Sequence, residues 1–170
     1  MLPDLIPQRP SLIFCGTAAG RASAQCGHYY AGRGNRFWQL LAETGLTPRR
    51  LRPDEDVTLP ALGLGLTDLA KGVAGMDRDI PASAYAPARL DAIVATYRPS
   101  ALAFTSLAAG RLALGDRHLS AGRQNMLDRW AGVALFILPS PSGAARGYFL
   151  SEPWHEAAAF AQNSDRAGAV

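Results

Sequence analysis

The sequence predicts an α/β protein, a three-layer α/β/α sandwich around a central, mainly parallel sheet of four strands. Four short runs are apolar over most of their length, as expected for strands of a parallel sheet that is covered on both faces. Helix-like segments lie between these runs, and strands that alternate with helices form parallel sheets. The 170 residues, 48% of them apolar, have the size of one domain, so we expect a single domain over residues 1–170.

The first half of the chain is predicted to hold two strands and one helix. The expected elements are an extended, proline-containing lead at 1–10, a strand at 11–16, a long Gly-, Ala- and Ser-rich loop to residue 34, a helix at 35–45 and a strand at 62–67. Asn35 is a suitable cap for the helix, and Gly45 is a suitable end. A loop as long as the one before Asn35 indicates function.

The second half is predicted to hold two more strands and three helices. The expected elements are an irregular polar segment at 72–87, a helix at 88–97, a strand at 101–105, a short helix to 114, a strand at 133–138 and a last helix from about Ser151. Leu90, Ile93 and Val94 share one face of the helix at 88–97, and Pro99 ends it.

Composition narrows the function classes. No apolar run approaches the roughly 20 residues of a membrane span, and no signal peptide is recognisable, so we expect no membrane partner. Cys15 and Cys26 lack the spacing of metal ligands, and we expect both to be buried thiols in a reducing cytoplasm. The net charge of +3 fits a polyanionic partner without requiring one. No phosphate-binding fingerprint is present, which argues against a nucleotide-handling enzyme of another α/β class.

Three segments carry a resemblance to a known family. They are the Gly16-x-x-x-Gly20 loop, called the first loop below, the Asn-Arg-Phe-Trp run at 35–38, and the Leu-Pro-Ser-Pro-Ser-Gly loop that begins at 138, called the second loop. In order, spacing and context they resemble the uracil-DNA glycosylase superfamily, and within it most of all the mismatch-specific uracil-DNA and thymine-DNA glycosylase branch. The likeness runs from about Leu12 to Trp154, and the run at 65–69 fits the middle strand of the family.

The resemblance implies a monofunctional DNA glycosylase that flips a base out of DNA and hydrolyses its N-glycosidic bond. The implied partner is DNA that contains uracil or a mismatched base. We expect no cofactor and no metal, a monomer, and a bacterial cytoplasmic protein that acts at the nucleoid. The implied base-binding residues are Gly16, Thr17, Ala18, Ala19, Gly20, Ser23, Tyr30 and Asn35, and the implied DNA-binding residues are Ser142, Gly143, Ala144 and Arg146. Tyr30 would stack on the base, and Tyr29 is the alternative.

Several of these residues also have a purely structural interpretation. Asn35 is a plain helix cap in that interpretation, and Ser140 and Ser142 are turn formers. Arg146 is then a solvated surface charge. We expect Phe37 and Trp38 to lie in the core.

The chain departs from the family at the position that matters for chemistry. Relatives in this branch carry an asparagine that positions the attacking water, and the matching residue here is Ala18; Ala19 replaces the following proline. In the second loop, Ser140 stands in place of an asparagine, and Leu138 falls where the classical uracil enzymes have a histidine. Hydrolysis needs a held water and a group that accepts its proton, and an alanine side chain provides neither.

Asp68 is the best substitute in the sequence, and we expect it to be catalytic together with Ser140. It follows a strand at the edge where the site is expected to open, and a carboxylate both orients water and stabilises positive charge on the sugar. A turn-capping aspartate is the alternative interpretation. His28 is a second candidate, whereas Asp77 and Asp79 are expected to be solvated. The family resemblance gives no support to a Schiff-base role for Lys71.

Two functional hypotheses follow. The first is an active glycosylase with relaxed base choice, because the small Ser23 lies where relatives face the C5 edge of the base, and a methyl group changes discrimination by only about 1–3 kcal/mol. The preferred base among uracil, thymine, ethenocytosine and hypoxanthine stays open. The second is a catalytically weak protein of the same fold that binds damaged or abasic DNA.

Overall fold

The computed structural model describes residues 1–125, 129–145 and 149–168. Its regular elements, in chain order, are β1 (Leu12–Gly16), α1 (Arg21–Cys26), α2 (Phe37–Glu43), a 3-10 segment (Pro53–Leu62), β2 (Leu64–Asp68), short 3-10 turns (Asp77–Asp79 and Ala82–Ala84), α3 (Pro87–Tyr97), β3 (Ala101–Phe104), α4 (Leu107–Leu114), β4 (Gly122–Gln124), β5 (Ala134–Ile137) and α5 (Glu152–Gly168). The α/β fold class predicted from the sequence is confirmed.

The described strands form one sheet of five in the order β2-β1-β3-β5-β4, in which only β4 runs antiparallel to its neighbour. The sheet therefore has one strand more than the sequence predicted. Strand β4 lies at the edge and is short, and its three residues, Gly-Arg-Gln, contain no apolar side chain. A strand without an apolar pattern leaves no period-2 signal in the sequence.

Hydrophobic cores lie on both faces of the sheet, which explains why the central strands are apolar throughout. In β1, Leu12 and Phe14 point into the core that α2 and α5 cover. The alternate residues Ile13 and Cys15 point into the core that α3 and α4 cover. This alternation is the period-2 geometry of a strand, and it produces the predicted three layers.

The segments before and after β1 differ from the expectation. The lead at 1–10 is attached to the sheet, because Leu5 and Leu66 exchange two backbone hydrogen bonds, of 3.0 and 2.7 Å. The loop after β1 contains the short helix α1, which the small residues of that segment did not indicate. Cys15 is buried as expected, but Cys26, at the end of α1, is exposed.

Among the helices of the described ranges, none has the length and apolarity that a membrane crossing needs.

Candidate active site

A cavity of about 550 Å3 opens at the carboxyl edge of the sheet. It lies where the chain order along the sheet reverses, between β1 and β3, and β2 contributes its last residue to the wall. Open α/β sheets bind ligands at this kind of switch point. The volume is in the range of sites for small organic molecules, about 300–1,000 Å3. The lining contains residues of the first loop, the second loop, Tyr30, Asn35, Asp68 and Thr105.

Three polar groups converge on Gly16 at the floor of this cavity. A methyl group added at Gly16 would lie 2.7 Å from Asp68 Oδ1 and 3.6 Å from both the Thr105 Oγ1 and the Tyr30 hydroxyl oxygen. A carbon atom cannot approach an oxygen atom to 2.7 Å without displacing it. The absence of a side chain at Gly16 is therefore what lets the Asp68 carboxylate reach this position.

Asp68 is almost completely buried, with 3% of its surface exposed. Its Oδ2 accepts a hydrogen bond from Lys71 Nζ at 3.4 Å. Burial raises the pKa of Asp68 to about 6, and the positive charge of Lys71 opposes that shift. The Asp68 carboxylate accepts a hydrogen bond from a lysine side chain, so the interpretation of Asp68 as a turn cap does not describe its contacts. A carboxyl with a pKa near neutrality is suited to exchange protons.

Tyr30 lines the cavity and is held on two sides. Its ring stacks on Phe37 with 3.8 Å between centroids, and its hydroxyl lies 3.1 Å from Thr105 Oγ1. Its backbone is in the left-handed region, with φ of 52°, which is uncommon for a residue other than glycine. Burial raises the pKa of Tyr30 well above its usual value, so the hydroxyl stays protonated. Tyr29, the alternative, also lines the cavity, but it is more deeply buried, and its hydroxyl donates to Pro3 O.

The first loop is held in place mainly by backbone hydrogen bonds. Ala70 N donates to Thr17 O at 2.9 Å, and Gly75 N donates to Ala19 O at 3.0 Å. The Ser23 hydroxyl accepts a hydrogen bond from Ala31 N at 3.0 Å, which ties the start of α1 to the segment after Tyr30. All the residues predicted to bind the base, Gly16, Thr17, Ala18, Ala19, Gly20, Ser23, Tyr30 and Asn35, line the cavity.

Asn35 lies just before α2 and also forms part of the cavity wall. Its side-chain oxygen accepts a hydrogen bond from Phe37 N, at the first residue of α2, over 2.9 Å. The N-cap position is Arg36, which makes no side-chain capping hydrogen bond, so Asn35 lies one residue before the position that the sequence predicted for it. Phe37 and Trp38 lie in the core. The hydrogen bond to Phe37 N therefore fixes the orientation of the Asn35 amide at the cavity.

The second loop faces the first across the cavity. Ser140 Oγ accepts a hydrogen bond from Ser142 N at 3.3 Å, and Ser142 Oγ accepts one from Ala144 N at 3.2 Å, so both hydroxyls stabilise the turn. Gly143 lies so close to the neighbouring chain that an added methyl group would be 2.8 Å from Arg33 O. Ser140, Ser142 and Ala144 line the cavity. Arg146 lies outside the described residues.

The comparisons with known proteins agree with this geometry. The family model described as "Uracil DNA glycosylase superfamily" matches residues 3–162. The chain belongs to the uracil-DNA glycosylase superfamily. A solution NMR structure of a candidate uracil DNA glycosylase from Methanosarcina acetivorans is 19% identical, with a TM-score of 0.68 over 96% of each chain. That similarity shows the same fold, and the family match supports a DNA glycosylase, a hydrolase of N-glycosidic bonds, as the class of protein.

Three other residues that the sequence analysis considered, His28, Asp77 and Asp79, lie apart from the centre of this cavity. His28 Nδ1 lies 3.2 Å from the buried Asp56 Oδ1. Asp56 Oδ2 also accepts a hydrogen bond from Tyr29 N. The His28–Asp56 pair therefore stabilises the loop before Tyr30 and is not part of the cavity wall. Asp77 lies at the rim, and Asp79 is in the same exposed turn. Within the described ranges, no group of three or more His, Cys, Asp or Glu side chains is placed to hold a metal ion.

Sequence reasoning missed two residues around the floor of the cavity, Thr105 and Asp4, and it considered Lys71 only for a Schiff-base role. Thr105 directly follows β3 and contacts the Tyr30 hydroxyl. Its position at the end of a predicted strand could have indicated that it lies at the same sheet edge as the site. Lys71 and Asp4 contact each other beneath Asp68, with 3.0 Å between Lys71 Nζ and Asp4 Oδ1. Nothing in the spacing of residues 4, 68 and 71 indicated that contact.

Proposed function

We propose that this glycosylase excises uracil from DNA by hydrolysing the N-glycosidic bond of a flipped nucleotide, and that Asp68 holds the attacking water. The observation that carries the proposal is the buried Asp68 carboxylate, whose Oδ1 lies over Gly16 at the cavity floor. Ala18, in the same wall, has no polar atom in its side chain. Asp68 thus supplies a proton acceptor that the first loop lacks.

The target base must leave the duplex before its glycosidic carbon is accessible. The cavity is large enough to admit a nucleoside, and the ring of Tyr30 and the backbone of the first loop form part of its wall. In the proposed complex, Tyr30 packs against the base, and the base is bound through backbone groups of residues 17–20 and the amide of Asn35. The second loop would occupy the space that the flipped nucleotide leaves in the duplex.

Hydrolysis passes through a sugar with oxocarbenium character and an anionic leaving base. In the proposed mechanism, ionised Asp68 accepts a hydrogen bond from the water and stabilises the positive charge on the sugar through its own negative charge. As the water attacks the anomeric carbon, its proton passes to Asp68 and the bond to the base breaks. The Ser140 hydroxyl, whose oxygen already accepts from Ser142 N, would donate its proton in a hydrogen bond to the substrate.

The positively charged side chains at the cavity mouth support DNA binding by this face of the protein. Arg21 and Arg78 line the cavity mouth with highly exposed side chains, and both are suited to phosphate contacts. We further propose that the protein belongs to the mismatch-specific branch. We expect it to prefer uracil over thymine, ethenocytosine and hypoxanthine in a graded way, since the small Ser23 lines the cavity where the family resemblance places the C5 edge of the base. A cytoplasmic monomer acting at the nucleoid is part of the same proposal.

The direct test is base release from oligonucleotides that contain one uracil, either single-stranded or opposite guanine or adenine. We expect alkali-labile abasic sites to accumulate with time, and affinity for DNA to fall as salt rises, because phosphate contacts release counterions. The matched control is the same oligonucleotide with cytosine in place of uracil. No product at stoichiometric protein and long times would contradict the proposal.

One observation favours a second candidate function, a protein that binds damaged or abasic DNA without turnover. It is Ala18, which leaves the first loop without a polar side chain at the position where the family resemblance implies a water-positioning asparagine. The same assay separates the two functions. Tight binding of uracil-containing or abasic DNA without any base release would support the binding protein, and base release would exclude it.

Base release is expected to depend on pH through Asp68. The ionised carboxylate is the form that accepts a proton, and its pKa is raised to about 6 by burial. The value of kcat/KM should therefore be constant above that pKa and fall about tenfold for each pH unit below it. Rates measured from about pH 4.5 to 8 under subsaturating DNA check this. A rate that is constant over that range would contradict a role for Asp68 as proton acceptor.

A further inference from the structure

Four charged side chains form a cluster beneath the floor of the cavity: Asp4, Asp68, Lys71 and Arg89. Lys71 Nζ lies 3.0 Å from Asp4 Oδ1 and 3.4 Å from Asp68 Oδ2, and it donates to the Tyr29 hydroxyl at 2.7 Å. Arg89 forms an ion pair with the other oxygen of Asp4. One ammonium group is thus shared between two carboxylates, of which only Asp68 reaches the cavity.

We propose that Lys71 is a positioning residue that keeps Asp68 oriented and ionised, and that Asp4 weakens this effect by competing for the same ammonium group. This inference rests on the proposed role of Asp68 in hydrolysis. It assigns to the N-terminal segment an influence on the reaction, although Asp4 does not line the cavity.

Asp4 is held in place by contacts that do not involve Lys71. Thr67 Oγ1 donates to Asp4 Oδ1 at 2.7 Å, and the backbone bonds between Leu5 and Leu66 fix the segment along β2. The Tyr29 hydroxyl donates to Pro3 O at 3.0 Å. Because these contacts remain when Lys71 is replaced, the negative charge of Asp4 stays near Asp68.

The groups around Asp68 act in opposite directions on its charge. Lys71 and Arg89, whose Nη1 donates to Asp68 O at 2.9 Å, favour the ionised carboxylate. Burial and the negative charge of Asp4 favour the protonated form. Among the residues that the structure describes, the other titratable groups near Asp68 are the Tyr29 and Tyr30 hydroxyls and the Cys15 thiol. Their pKa values are all raised by burial, so they stay neutral in the relevant range.

Two variants of the full chain are expected to shift the ionisation of Asp68 in opposite directions. Lys71→Met removes the cation and should raise the pKa of the Asp68 carboxyl by about 1–2 pH units, whereas Asp4→Asn removes the competing anion and should lower it by about half a unit or more. The pKa is measured by NMR titration of 13C-labelled aspartate carboxyls, with Asp68→Asn used to assign the resonance. The acid limb of kcat/KM should move in the same two directions.

Controls separate charge from folding. Lys71→Arg retains the positive charge and should keep the acid limb within about half a pH unit of the wild type. Asp54→Asn is the matched control for Asp4→Asn, because Asp54 is exposed on the 3-10 segment and pairs with Arg52. Thermal unfolding of each variant shows whether it is folded. If Lys71→Met does not fold, the downward shift in Asp4→Asn carries the test.

The inference is overturned if the two variants shift the Asp68 titration in the same direction, or if neither shifts it. A merely structural role would lower stability in both variants without opposite shifts. The carboxyl titration does not require turnover. A wild-type protein that releases no base would therefore overturn the proposed function, while the effect of Lys71 and Asp4 on the ionisation of Asp68 is still measured.

Discussion

Replacing Asp68 by asparagine is expected to slow uracil release by about 10²- to 10⁴-fold, the usual contribution of a general base. The amide keeps the shape of the side chain but cannot accept the proton of the water or carry the negative charge that stabilises the sugar. DNA binding should stay within a few-fold of the wild type, because the side chains proposed to contact phosphates, Arg21 and Arg78, lie at the cavity mouth and not at its floor. Single-turnover base release and fluorescence anisotropy measure the two effects separately.

The matched control for this variant is Asp54→Asn, the same substitution at an exposed position on the 3-10 segment, which does not line the cavity. It should release uracil at the wild-type rate. A rate for Asp68→Asn within a few-fold of the wild type would eliminate Asp68 as the water-positioning group, and Ser140 would then be the next residue to replace.

Replacing Gly16 by alanine is expected to reduce both stability and activity. The new methyl group would lie 2.7 Å from Asp68 Oδ1, so the carboxylate must move away from the cavity floor or the backbone must shift. Inserting one carbon into a packed site typically costs about 1–3 kcal/mol. Because Asp68 is displaced from the position in which it would hold water, we expect base release to fall by at least about 10²-fold. Denaturant unfolding and single-turnover rates check the two effects.

Gly20→Ala provides the stability control within the same loop. A methyl group added there would meet no atom within 4 Å, and Gly20 has an ordinary extended backbone conformation, with φ of −64°. Its free energy of unfolding should differ from that of the wild type by less than about 0.5 kcal/mol. If Gly16→Ala were as stable and as active as the wild type, the close approach of Asp68 would have no role in the site.

The elements with a strong local pattern were predictable from the sequence. Strand β1 is apolar at every position before Gly16, and helix α3 carries Leu90, Ile93 and Val94 on one face. Helix α1 was missed because its residues, Arg-Ala-Ser-Ala-Gln-Cys, have no apolar periodicity. Strand β4 was missed because hydrogen bonds to β5, rather than apolar side chains, hold it at the sheet edge.

Part of the candidate site was also predictable, because some of its residues lie next to a strong local pattern or in a family motif. Asp68 stood out because a carboxylate directly follows an apolar strand, and Tyr30 and Asn35 stood out through the family resemblance. Thr105 did not stand out, because a threonine at the end of a strand is common and no motif contains it. Its contact with the Tyr30 hydroxyl arises only because β3 is the neighbour of β1 in the sheet.

By itself, the sequence determined the α/β class, the order of most elements and the family, because all of these depend on patterns between residues that are near each other in the chain. Only the tertiary structure decided the electrostatic state of Asp68. That state depends on burial and on charges within a few ångströms, and two of those charges, Asp4 and Arg89, lie 64 and 21 residues away from it along the chain. Coulomb interactions and desolvation act through space, so sequence separation does not reveal which groups will meet.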